Sequence, residues 1–358
     1  MKAKHFISRL MHAKSRPSEA INRVISRSIL RLLGIDLSLE TEIQYVELGT
    51  FNSQITRKEL LHDNCFVSFR KNSKEFQHSF DPRYLVEITN VIVNTSTNHI
   101  YVLDSDSKRR YLLRESTNWP VQLEILNNKV PRRMPKSSFT GVTLGIPKSG
   151  FYHWVTEDLP NLMKASGPSQ VLCFEDNSKP IIDLYEELKI NSRLVEKWIY
   201  VEKLLFFTKG QDLGYLHPAD AMVLGEFAEG FSPENYEKGK KIYVSRRKSR
   251  RSLPAEEEIE EYLINQGFQV IYAEDYPIGD QIKIFKNASV IVGVHGAGLT
   301  NSVWSTNCKL IEIMPQKRIN RCFEWQANIC GQEYNRIYYD EENFSIQSIV
   351  SDLRDLID

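Results

Sequence analysis

Apolar and polar positions follow two rhythms along the chain. Between about residues 40 and 138 the apolar positions come in short β-branched and aromatic runs: Ile88 to Asn94, Ile100 to Leu103 and Tyr111 to Leu113. Clusters of Asn, Ser, Thr and Asp separate them, and this pattern predicts a small antiparallel meander. The Pro-rich basic piece Val130 to Lys136 reads as a connector. From about residue 139 the units lengthen. Val171 to Phe174 reads as a buried strand, Ile181 to Leu188 as a helix and Trp198 to Phe207 as strand. Gly225 to Gly239 is polar and punctuated by glycine, and is expected to be a linker.

Beyond that stretch the alternation is regular. Strands are expected at Lys241 to Ser245, Phe268 to Tyr272, Ser289 to Val294 and Lys309 to Met314. Helices are expected to open near Ser252 and Pro254, and around Asp280 to Lys286 and Arg321 to Ile329. Such alternation predicts a parallel sheet covered on both faces, with right-handed crossovers. Ligands of these sheets lie beyond the carboxyl ends of the strands, which singles out the loops after Ser245, Val294 and Met314. The expected organisation is a segment 1–38, a domain 39–224 (meander, then α/β), a linker 225–239, a domain 240–338 and a final helix in 339–358.

Composition narrows the class. With 41% hydrophobic and 26% charged residues in 358, disorder, collagen and a disulfide miniprotein are excluded. Lys plus Arg equals Asp plus Glu at 46 each, so no net charge argues for nucleic acid. Cysteines 65, 173, 308, 322 and 330 are odd in number and form no CxxC pair, so a reducing compartment fits better than a disulfide framework or structural zinc. The uncharged stretch Asn287 to Cys308 carries too many polar and glycine residues for a bilayer, and no transmembrane helix or signal peptide is expected. Residues 1–34 hold eight basic residues against Glu19, with Ile21, Val24, Ile25, Ile29, Leu32 and Leu33 at helical spacing. A basic amphipathic helix of this kind lies on an anionic membrane or docks on its own protein; membrane or partner contact is the expectation here.

Three blocks carry candidate chemistry. Val290 to Asn301 (VIVGVHGAGLTN) runs from a buried strand through a glycine turn into a helix. Glycines admit a ligand close to the backbone, and free N–H groups at a helix start attract anions. The spacing is not the nicotinamide fingerprint GxGxxG. Tyr243 to Arg251 (YVSRRKSRR) puts Arg246, Arg247, Arg250 and Arg251 directly after a strand. One charge-assisted hydrogen bond contributes about 1.5–3 kcal/mol, more than a helix dipole. The acids Glu256, Glu257, Glu258, Glu260 and Glu261 follow at once and cancel the local field, so a local anion site is expected rather than a nucleic-acid surface.

In Gly150 to Pro160 (GFYHWVTEDLP), His153 and Glu157 stand four residues apart, on one face of a helix, where they could deprotonate a hydroxyl; the commoner case is a plain surface pair. Asp158 adjoins them and is not separable from Glu157 at this stage. Glu312, inside the apolar strand LIEIM, needs hydrogen-bond donors, either ribose hydroxyls or an internal salt bridge. Asp104-Ser105-Asp106 has a DxD form but reads as a hairpin tip, and GxSxG, HExxH and the P-loop are absent.

The ordered trio HWVTEDLP, YVSRR…RR and VGVHGAGLTN…LIEIMP resembles glycosyltransferase family 61, capsular-polysaccharide enzymes included, over about Gly150 to Tyr338. The resemblance implies an α/β, GT-B-like fold: two Rossmann-like halves facing a cleft, with a β-rich N-terminal lead-in. It implies inverting transfer of a sugar from a nucleoside diphosphate sugar, most often a UDP-sugar, to a glycan or lipid-linked glycan. The implied catalytic residues are Glu157, His153 and Asp158. The implied donor site is Ser245, Arg246, Arg247, Arg251, His295, Gly296, Ala297, Gly298, Leu299, Thr300, Asn301 and Glu312. The family commonly has Asn-Glu shortly after the arginines, whereas Ala255 precedes Glu256 here. No metal or other cofactor and no nucleic-acid partner is expected. The expected location is cytoplasmic, peripheral at the inner face of the plasma membrane. A non-catalytic nucleotide-binding scaffold and a pyruvyl-type transferase on the same fold are the alternatives.

Overall fold

In the computed structural model the described residues are 44–46, 55–62, 65–71, 74–80, 83–103, 110–113, 131, 134–145, 150–164, 170–174, 179–207, 215–231, 239–249, 252–317 and 320–357. The basic segment 1–34, the Asp104–Asp106 motif, Arg250 and Arg251 lie outside them. Strands β1 (Gln44–Val46), β2 (Ile55–His62), β5 (Arg83–Asn94), β6 (His99–Leu103) and β7 (Arg110–Leu113) join β8 (Ser138–Leu144), β9 (Gln170–Phe174), β10 (Ser192–Val195) and β11 (Trp198–Phe207) in one nine-stranded sheet. Strands β3 (Cys65–Lys71) and β4 (Lys74–Phe80) form a separate antiparallel pair.

The run β5-β6-β7 is the antiparallel meander. It is not a separate lead-in, because β11 lies between β5 and β8, antiparallel to the first and parallel to the second. The physical cause is the burial of Ile199, Val201, Leu204 and Phe206, which complete a core with Val86, Ile88, Val91 and Val93 of β5. From β8 the chain steps outward through helix α1 (151–164) to β9, then through α2 (Lys179–Glu187) to β10, all parallel. It then returns to the other side of β8 as β11, so this sheet has its switch point between β8 and β11.

Helix α3 (Pro218–Glu229) leads to the second sheet. Gly225 to Glu229, expected in a linker, therefore complete a helix. Pro218 opens it, His217 accepts the N–H of Ala219, and Leu224 and Ala228 bury one face. The second sheet is wholly parallel: β12 (Lys240–Val244), β13 (Phe268–Ile271), β14 (Ala288–Val294), β15 (Lys309–Pro315) and β16 (Glu333–Tyr339), in the order β13-β12-β14-β15-β16. Counted within this half the order is 2-1-3-4-5, the doubly wound arrangement with its switch point between β12 and β14. Helices α4 (Glu256–Asn265), α5 (Ile278–Lys286), α6 (Cys322–Ile329) and α7 (Ile346–Ile357) and a 3-10 helix (Ala297–Trp304) cover it. Among the described residues no helix is long and apolar enough to cross a membrane.

One apolar core spans both sheets, holding Trp154, Leu159 and Tyr185 together with Val244, Leu299 and Phe323. Polar ties reinforce it. Glu187 accepts the N–H groups of Ile278 (3.0 Å) and Gly279 (2.8 Å) at the start of α5, and Trp325 Nε1 donates to the carbonyl of Leu216 at 3.0 Å. Lys164 at the end of α1 pairs with the buried Asp220 of α3 at 2.8 Å. Removing one partner of a buried pair costs about 3–5 kcal/mol. Asp220→Ala should therefore lower the unfolding free energy by about 3 kcal/mol in urea; an unchanged midpoint would show that α1 does not depend on this tie.

Burial also pushes four thiols up, Cys308 to about 11, Cys322 and Cys330 to about 12 and Cys173 further still. Because the folded chain holds these protons more tightly, their stabilisation is complete below the ordinary thiol value of 9.0 and is lost as pH rises through 11 to 12 and beyond. Urea midpoints should fall between pH 8.5 and 11 in the native chain and fall less in Cys322→Ala.

Candidate functional site

The carboxyl end of β8 leads through Gly150 into α1, whose second turn is π-helical over Trp154–Asp158. Such turns add a residue to the helix and re-aim its side chains. Here adjacent acids take different partners. Asp158 is buried and accepts the hydroxyl of Tyr185. Glu157 is 14% exposed, its Oε1 2.7 Å from Nδ1 of His153, with the imidazole half-exposed. The structure thus separates two carboxylates that the sequence could not. Asp158 is engaged with Tyr185, and Glu157 with His153 is the pair that can exchange a proton with a ligand.

The second cluster forms at the switch point of the parallel sheet. Val244 of β12 is in register with Gly293 of β14, so the loops that follow emerge side by side. Arg246 donates a guanidinium N–H to the carbonyl of His295. A Cβ at Gly296 would stand 2.5 Å from the guanidinium carbon and 2.8 Å from Nε. A side chain at 296 would therefore displace the arginine that lies across it, whereas the backbone angles there are extended and open to any residue.

Other members of the predicted site turn inward. Leu299 is in the core, and its Cδ2 would be 2.7 Å from a Cβ at Gly293. Thr300 and Asn301 are buried. Asn301 Nδ2 donates to Gln281 Oε1 (2.8 Å), and its Oδ1 accepts Trp304 Nε1 (3.0 Å). Gly298 packs on Val244, and Ala297 is exposed. Arg247 extends away from the glycine turn to Glu257 (3.1 Å), Glu260 (3.3 Å) and the hydroxyl of Tyr272 (2.9 Å). Those partners, Tyr272 first, push its guanidinium further up.

Ser245 is buried, its hydroxyl bonded to Glu260 (2.6 Å) and Glu256 (3.1 Å). Glu256 was read only as one acid among five. It is buried, and accepts the N–H of Arg246 (2.6 Å), the N–H of Leu253 (3.1 Å) and the hydroxyl of Tyr243 (3.0 Å). It clamps the arginine loop from inside, and Ala255 before it takes a left-handed conformation with φ 52°.

Glu312 is fully buried and takes the salt-bridge alternative. Its Oε1 is 2.5 Å from His295 Nδ1, its Oε2 accepts the Tyr334 hydroxyl, and Arg336 Nε lies 3.6 Å away. The two clusters meet through rings: Phe323 packs edge-on against Tyr152 (5.7 Å) and against His295 (5.4 Å). Phe323, Tyr334 and Arg336 were not found from the sequence. The alternation Tyr334, Arg336, Tyr338 along one strand face was the available signal.

The fold and site define an α/β protein in which two histidine–carboxylate pairs and an arginine gather at the switch points of two sheets. The Glycosyltransferase 61 family model matches residues 151–317, a segment that contains His153, Glu157, Arg246, His295 and Glu312. This match supports glycosyltransferase family 61 and, with it, glycosyltransferase activity. A comparison with curated proteins gave no match.

Glu256→Ala would leave two loop N–H groups without their acceptor, each costing about 1–3 kcal/mol when buried. The unfolding free energy should fall by about 3 kcal/mol in urea. A loss below about 0.5 kcal/mol would show that the arginine loop is held elsewhere.

Proposed function

We propose that the chain is an inverting glycosyltransferase that moves a sugar from a nucleoside diphosphate sugar, in the first instance a UDP-sugar, to a hydroxyl of a glycan or lipid-linked glycan in surface or capsular polysaccharide synthesis. The observation that carries this reading is Arg246 lying across Gly296 at the switch point, with His295 linked through the rings of Phe323 and Tyr152 to the His153–Glu157 pair. The two sheets are read as the acceptor-side and donor-side halves of a GT-B arrangement. Residues 1–34 are read as holding the enzyme at the inner face of the plasma membrane.

In this scheme Glu157, held by His153, takes the proton of the acceptor hydroxyl. The freed oxygen attacks the anomeric carbon from the face opposite the diphosphate. The bond from that carbon to the diphosphate breaks, and its electron pair leaves on the phosphate oxygen. Arg246 stabilises the departing charge where it develops, the largest electrostatic share of such catalysis. A fixed guanidinium serves the phosphate here, so the scheme uses no metal ion.

Glu157→Gln should lower transfer about 10²–10⁴-fold while leaving the thermal shift with UDP intact. Transfer at near the native rate would remove Glu157 as base. A panel of UDP, ADP, GDP and CMP with no stabilisation by any of them would overturn the reading as a whole.

A further inference from the structure

Behind His295 runs a relay of hydrogen bonds with a fixed direction. Arg336 on β16 donates from Nε to the hydroxyl of Tyr334 (2.7 Å) and from Nη2 to Glu324 of α6 (3.0 Å). A guanidinium has donors only, so the Tyr334 oxygen must accept, and its one proton goes on to Glu312 Oε2. The other oxygen of Glu312 faces His295 Nδ1 at 2.5 Å. Glu312 is fully buried and the Arg336 side chain only 10% exposed, so water does not compete. Paired with Arg336, Nε 3.6 Å away, Glu312 is a carboxylate with acceptors only, which places the imidazole proton on Nδ1, pointing inward. Nε2 is left on the outer side of a ring that is 19% exposed. Glu312 already has the Tyr334 hydroxyl and the Arg336 guanidinium, its Nε 3.6 Å away, as partners besides the imidazole, so its charge is matched without a second proton on the ring.

We propose that Arg336, acting through Tyr334 and Glu312, is a positioning residue that holds His295 neutral with Nε2 as a hydrogen-bond acceptor, suited to a hydroxyl of the donor and not to a phosphate oxygen. Phosphate is left to Arg246, on the main chain of the same residue. Both Arg336 and Tyr334 lie beyond the segment that the family model matches. The hydroxyl contact rests on the proposed function; the tautomer does not.

The test is ¹⁵N-histidine NMR on the full chain at pH 8, with the His295 signals assigned by their loss in His295→Gln. The expected native spectrum has a protonated Nδ1 and a bare Nε2. An Nε2-protonated ring or an imidazolium overturns the proposal without any further variant. Arg336→Met removes the cation beside Glu312 and should convert His295 to the imidazolium, while Tyr334→Phe, which keeps the ring packing, should do so in part. An unchanged neutral Nδ1–H ring in both folded variants shows that the relay does not position His295, and overturns the proposal.

In the native chain, a hydroxyl on Nε2 should move that resonance upfield on adding donor. A shift with UDP alone assigns it to the ribose, and a shift only with a UDP-sugar assigns it to the sugar. Thermal stabilisation by the donor without any Nε2 shift overturns the contact. Absence of stabilisation with every nucleotide sinks the transferase reading instead, and the tautomer is still decided by the native spectrum.

Discussion

The guanidinium of Arg246 occupies the space that any side chain at position 296 would need. That close approach ties together the two loops that leave the switch point. The arginine can lie there only because β12 and β14 are neighbours in register, so that their loops leave the sheet together. It stays there because its N–H is held from below by buried Glu256 while its guanidinium is held from above by the carbonyl of His295. A cation fixed at both ends keeps its charge in place before any ligand arrives, which is what electrostatic preorganisation requires. The same loop would be costly without Glu256, which accepts the N–H groups of Arg246 and Leu253.

The first sheet supplies the complement by the same topological device. Its order reverses between β8 and β11, and α1, which follows β8, carries His153 and Glu157. The π-helical turn lets Asp158 bury itself against Tyr185 while Glu157 stays partly exposed. Aromatic edges then connect the halves, with Phe323 between Tyr152 and His295. Both histidines end up with a carboxylate on Nδ1, but the His153 ring is half-exposed and the His295 ring mostly covered, so their environments differ although their pairing is alike.

The alternation of apolar strands with amphipathic helices after residue 240 was plain in the sequence, because parallel strands buried on both faces read as continuous apolar runs. The meander was legible for a related reason, since Asn and Asp clusters punctuate it. Gly225 to Glu229 misled, since polar residues and glycine on the exposed side of a helix look like a linker until the buried Leu224 and Ala228 are seen. The joining of meander and α/β strands in one sheet was invisible, because β11 finds β5 more than a hundred residues earlier in the chain. Glu256 was hidden among like neighbours: charge counting treats five acids as equal, while burial selects Glu256 and Glu260.

The sequence by itself determined the parallel sheet, the three motif blocks and the spacing that pairs His153 with Glu157, all of which rest on local periodicity. The tertiary structure alone decided which arginine reaches the glycine turn, which acid of two is buried, and that Glu312 serves His295. Those are matters of long-range register and burial, where residues of one type are told apart only by the company that folding gives them.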